Sequence, residues 1–162
     1  MDHIWSPWRF RYLAEPRKHD AGCVFCVIAQ SAEDEANLVV HRGELNFVVL
    51  NRYPYTSGHV MVIPYEHVSM LSDATDETSA EMMALTRKAE ACIQSLYKPD
   101  GVNIGMNMGA AAGAGVAGHI HMHVLGRWFG DSNFMSTIAE TRIIPEDLSQ
   151  TWARLSQSFA AR

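Results

Sequence analysis

Apolar residues in this chain recur with two different periods. Between residues 37 and 64 they come in short β-branched runs, and between 75 and 96 they return every three or four positions. Asn37 to His41 and Glu44 to Asn51 read as two strands of a hairpin split by Arg42-Gly43. Tyr53 to Gly58 reads as a turn. His59 to Pro64 is the next strand, which Pro64 ends, and Tyr65 to Leu71 is a connection carrying His67. The longest helix starts near Thr75, an N-cap followed by Asp76 and Glu77. Met83, Ala89, Ile93 and Leu96 line one face of it, Cys92 is inert core, and Lys98, Pro99 and Gly101 stop it. Val102 to Met108 reads as a strand feeding a small-residue loop, 109–118, and the stretch 118–125 as a further strand. Arg127 to Phe134 is a loop. Pro145 opens the last helix at its first position, and Leu148, Trp152, Leu155 and Phe159 give that helix an apolar stripe. Strands and helices do not alternate regularly, so the expected class is α+β with a largely antiparallel sheet. With no internal repeat or linker, residues 1–162 read as one domain in which 1–20 form an N-terminal arm rich in aromatics.

Composition narrows this only a little. The 162 residues are 48% apolar and 19% charged, ordinary for a globular domain, and suffice for a real core. A net charge of −5 without a basic tract argues against a nucleic acid duplex as partner but leaves room for a nucleotide. No apolar run approaches a membrane span and the start lacks a signal-peptide pattern, so the expectation is a cytoplasmic protein with no membrane partner. Three cysteines make a disulfide framework unlikely.

The candidate chemistry lies in Gly118-His119-Ile120-His121-Met122-His123-Val124-Leu125. On a strand, successive side chains point to opposite faces, so His119, His121 and His123 form one row while Ile120, Met122 and Val124 face a core. Such imidazoles, beside the glycine-rich 109–118 backbone, can surround a phosphate or hold a metal. Cys23-Val24-Phe25-Cys26 is, from spacing alone, half a zinc site, a redox pair or two plain thiols. His41, His59 and His67 are unassigned histidines that could complete a metal site.

His119 to Leu125 fits the alternating His-apolar signature of the histidine triad superfamily, and the chain is identified as a member on that stretch. Phe47 to Pro64, with Asn51 and Gly58-His59 inside it, resembles the strand–turn–strand of the fragile histidine triad branch; the phosphoramidase branch usually carries Asp where this chain has Asn51. Trp5-Ser6-Pro7-Trp8-Arg9, the loop from Asn107 to Gly118 and Arg127 to Phe134 resemble bacterial diadenosine tetraphosphate phosphorylases of the superfamily. The resemblance implies a five-stranded antiparallel sheet flanked by a long helix and a C-terminal helix. It also implies a homodimer that joins two sheets into one.

For chemistry, the resemblance implies attack by His121 on the α-phosphorus of a dinucleoside polyphosphate, a nucleotidyl-histidine, and release to phosphate or water. His123 and the backbone of Gly113, Ala114 and Gly115 would steady the anionic oxygens, with His119 completing the triad. Asn51 would hold the ribose, Asn107 the phosphate or leaving bridge, and Trp128 the outer nucleotide, with His59 also assigned to the substrate site. Relatives commonly carry Ser or Thr at the position of Gly115; losing one such donor elsewhere costs on the order of 10²–10³ in rate. Some bacterial members hold a structural zinc through residues matching Cys23, Cys26, His67 and His119, and no organic cofactor is implied. Alternative readings are a nucleoside phosphoramidate hydrolase, a nucleotide-binding protein with weak activity, and a zinc hydrolase using the three row histidines.

Overall fold

The computed structural model describes residues 22–133, 136 and 144–162. The N-terminal arm and Phe134 therefore lie outside the described residues. Two short helices, α1 (Val24–Gln30) and α2 (Asp34–Asn37), precede strands β1 (Val39–Arg42), β2 (Asn46–Leu50) and β3 (Val60–Pro64). The long helix α3 (Asp76–Tyr97), strands β4 (Gly101–Gly105) and β5 (Met122–Arg127) and helix α4 (Leu148–Ala160) follow. The strands form one five-stranded sheet, ordered β1-β2-β3-β5-β4, with every neighbour antiparallel. No described helix is long and apolar enough to cross a membrane.

Both faces of the central strands are buried. Val48, Leu50, Val60, Val62 and Val124 pack with Met82, Leu85, Ala89, Cys92 and Ile93 of α3 and with Leu155 and Phe159 of α4. The opposite face sets Val39, Phe47, Val49, Met61 and Ile63 against Phe25 of α1. That second face carries the candidate site.

Capping sets the helix limits. Thr75 caps α3 by accepting the Thr78 N–H, and Lys98 ends it in the left-handed region at φ 47°. Met82 is the core methionine and Met83 is half exposed, a correction to the expected face by one position around the helix. Pro145 does not open α4. Asp147 does, because its carboxylate accepts the Gln150 N–H, a first-turn donor that only a side chain or water can satisfy. β4 stops at Gly105 rather than Met108. Asn37 belongs to α2, and Leu38 turns the chain into β1 with φ 63°.

Glu81 ties α3 to the β1–β2 hairpin. Its carboxylate accepts from the Glu44 N–H at 2.7 Å, the Leu45 N–H at 2.8 Å and Asn46 Nδ2 at 2.8 Å. A Cβ at Gly43 would come within 2.7 Å of the Glu81 Oε1, so the turn needs a glycine there. Burial works to raise the Glu81 pKa, but these hydrogen bonds outweigh it and hold the carboxyl below the usual glutamate range. A depressed carboxylate stabilises the fold above its unfolded pKa and ceases to do so as pH falls through its folded one. Glu81→Ala is expected to lower unfolding free energy by about 2–3 kcal/mol near neutral pH. In urea titrations the deficit should shrink below pH ~4.3.

Candidate active site and metal cluster

The histidine row lies only partly within the sheet. β5 begins at Met122, so only His123 is in the strand proper, while His119 and His121 lie on the segment leading into it. The expected alternation holds. Ile120, Met122 and Val124 pack on the α3 face. The rings on the other side form a chain: His67 to His119 at 5.0 Å between centroids, His121 to His123 at 4.9 Å and His123 to His59 at 5.0 Å. Phe25 bridges the gap in the middle, 5.5 Å from the His119 ring and 5.1 Å from that of His121.

Hydrogen bonds to backbone groups fix the tautomers, because a carbonyl only accepts and an amide N–H only donates. His121 Nδ1 lies 2.9 Å from the His119 carbonyl and must donate to it, which leaves Nε2 with the lone pair. The Tyr55 N–H donates to His59 Nδ1 at 3.1 Å, so His59 Nε2 carries the proton and donates to His123 Nδ1 at 2.9 Å. His123 Nε2 is then a donor. His119 donates from Nε2 to the Pro64 carbonyl at 2.9 Å, leaving its Nδ1 lone pair for the cysteines. Burial lowers the pKa of all three row histidines, with His123 pushed down to about 4 by burial and by His121. The rings are therefore neutral near pH 7, as both a lone-pair nucleophile and a metal ligand require.

His121 and His123 line a cavity of about 850 Å³, together with Asn51, Asn107, Gly113 and Gly115. Four other expected site residues are placed elsewhere, among them His119, whose ring meets the cysteines and not the cavity wall. Ala114 is buried and does not line the cavity. His59 is buried, donates to His123 and does not line the cavity. Trp128 covers Gly126, where an added Cβ would lie 2.9 Å from its ring, and is absent from the cavity wall. His41 packs on Phe159 on the far face of the sheet and takes no part.

The sequence did not reveal the wall opposite the histidines. Val24, Phe25, Val27 and Ile28 of α1 line it, with Asn37 and Leu38 at its end. The available signal was the apolar filling of the Cys23–Cys26 interval, Val24 and Phe25, both of which line the cavity.

Cys23, Cys26, His67 and His119 bring four ligand atoms within 4.8 Å of one another. Cys23 Sγ is 3.3 Å from His119 Nδ1, Cys26 Sγ is 3.2 Å from His67 Nδ1, and Cys26 Sγ is 3.7 Å from His119 Nδ1. A tetrahedron with bonds of roughly 2.0–2.3 Å has edges of about 3.5 Å, so this donor set fits zinc in spacing and in kind.

The HIT domain model matches residues 32–130. An AP-4-A phosphorylase of Mycobacterium tuberculosis is 44% identical over 99% of this chain and 85% of its own length. A Zn-bound histidine triad family protein from Mycobacterium smegmatis superposes with a TM-score of 0.70 at 32% identity, covering 86% of this chain and 94% of that one. A hypothetical histidine triad nucleotide-binding protein from Sulfolobus tokodaii gives a TM-score of 0.69 at 26% identity, over 86% and 93% of the two chains.

Proposed function

The chain belongs to the HIT domain family, and from that membership we propose that it is an enzyme cleaving dinucleoside polyphosphates such as diadenosine tetraphosphate at the α-phosphorus. The observation that carries the reading is the fixed tautomer of His121. Its Nδ1 proton is committed to the His119 carbonyl, which leaves a nucleophilic Nε2 on a ring that lines the cavity.

In this reading the His121 Nε2 lone pair forms a bond to the α-phosphorus while the bridging P–O bond breaks, and a nucleoside polyphosphate leaves. The His123 Nε2–H donates to the non-bridging oxygens, with Gly113, Gly115 and Asn107 beside it on the cavity wall. His59 keeps His123 in its donor tautomer through the 2.9 Å contact. Inorganic phosphate or water then attacks the same phosphorus, the N–P bond breaks, and the imidazole lone pair is restored. Asn51 holds the ribose and apolar α1 covers the base.

Bound zinc would supply a structural cross-link at Cys23, Cys26, His67 and His119. His119 serves there, with its carbonyl orienting His121. Dimerisation through β4 belongs to the same reading, supported by the position of β4 at the sheet edge and by half-exposed Ile104 on it.

The test is a quenched reaction with diadenosine tetraphosphate, held at alkaline pH where a phosphoramidate bond survives. One AMP unit should appear on His121 by mass. Products should be ATP plus ADP with inorganic phosphate present, or ATP plus AMP if water is the acceptor. Turnover without any adduct would overturn the mechanism.

A further inference from the structure

The cavity runs across the sheet along a row of registered partners. His123 pairs with Met61, Met61 with Val49, and Val49 with Val39. Three strand intervals make this row roughly 14 Å long. The histidines line one end and Asn37 with Leu38 the other. The Leu38 carbonyl accepts the Leu50 N–H, so Asn51 lies one strand in from Asn37. If phosphate chemistry occurs at His121, as proposed above, and the ribose is at Asn51, the nucleobase reaches Asn37.

The Asn37 carboxamide is held in one orientation. Nδ2 donates to Ser31 Oγ at 2.9 Å and to the Glu33 carbonyl at 2.9 Å, which uses both of its protons. Flipping the amide would set its oxygen against the Glu33 carbonyl oxygen. Among the described residues, Asn37 Oδ1 has no hydrogen-bond donor. Its neighbours on the wall, Val27, Ile28 and Leu38, are apolar.

We infer that Asn37 selects the nucleobase: its fixed Oδ1 accepts a hydrogen bond from the exocyclic amino group of adenine and excludes bases that present a carbonyl there. Adenine and hypoxanthine have nearly the same shape and differ in this group. A site with a committed acceptor rejects the carbonyl because two oxygens then face each other without a proton.

The test is calorimetric titration of the full-length protein with AMP and IMP. Wild type should bind AMP about tenfold more tightly than IMP. Asn37→Ala should bring the two affinities together, lowering that of AMP and raising that of IMP, and retained IMP binding also reports an intact cavity. Equal wild-type affinities, an equal loss for both nucleotides in Asn37→Ala, or no binding of either would overturn the inference. These readouts need no turnover. Selection of AMP in a protein that forms no His121 adduct would sink the nucleotidyl-transfer reading alone, and an adduct without selection would sink this one alone.

Discussion

His121→Ala will reduce cleavage of diadenosine tetraphosphate by about 10⁴-fold or more, as removal of a covalent nucleophile does elsewhere. The effect should fall on kcat. The side chain is buried beside Phe25 and its one backbone hydrogen bond is local, from Nδ1 to the carbonyl two residues back. Mononucleotide affinity should therefore change little, because the base wall and Asn51 remain. His123→Ala removes a proton donor rather than the nucleophile, so a smaller loss of about 10²–10³ is expected. The check is product formation followed chromatographically for both variants. A His121→Ala rate within tenfold of wild type would remove the nucleotidyl-histidine from the mechanism.

The second large effect is expected at the metal cluster. Cys26→Ala should abolish bound zinc, measured by metal analysis of the purified protein, and lower the melting temperature. A ligand present at a thousandfold over its Kd contributes about 4 kcal/mol of stability. In a chain of this length that is roughly 8–16 °C. The reason for a large effect is α1. Seven residues are too few to hold a helix without tertiary contacts, and the Cys23 N-cap makes no side-chain capping bond. The C-terminal end is clasped by Arg42, whose guanidinium donates to the Ile28, Ala29 and Ser31 carbonyls. Without the cluster, α1 is left with that clasp and the packing of Phe25, Ile28 and Ala29 on the sheet. Amide exchange over 24–30 should accelerate, and AMP affinity should fall with it, because α1 is the wall of the cavity. Unchanged zinc content or an unchanged melting temperature would exclude a structural metal at these residues.

How much of this was legible depended on the length over which a pattern repeats. The α3 limits at Thr75 and Lys98 were readable because a 22-residue helix has room for both period and caps. The histidine row was readable because strict alternation leaves no second register. Strand identities followed from β-branched runs bounded by Gly and Pro. What escaped was short or context-dependent. Helices α1 and α2 span 7 and 4 residues, less than two helical turns each, so hydrophobic periodicity had nothing to repeat. Met82 and Met83 are chemically alike, and only packing against the sheet decides between them. His59 reads in the sequence as a substrate-site residue, and its hydrogen bond to His123, 64 residues away, shows only in the fold. Trp128 reads in the sequence as a contact for the outer nucleotide, and only the fold places its ring over Gly126.

The cross-strand row from His123 to Val39 also has a consequence for regiochemistry. Strands cannot be respaced without breaking the hydrogen-bond ladder, so the interval between the proposed base seat at Asn37 and the proposed nucleophile His121 is set by the backbone rather than by any side chain. That interval suits a nucleoside bearing one phosphate. Seating a base at Asn37 would then bring the innermost phosphorus to His121, whatever the length of the phosphate chain beyond it. Substrates with longer chains would change the leaving group, and the piece retained on the protein would stay the same.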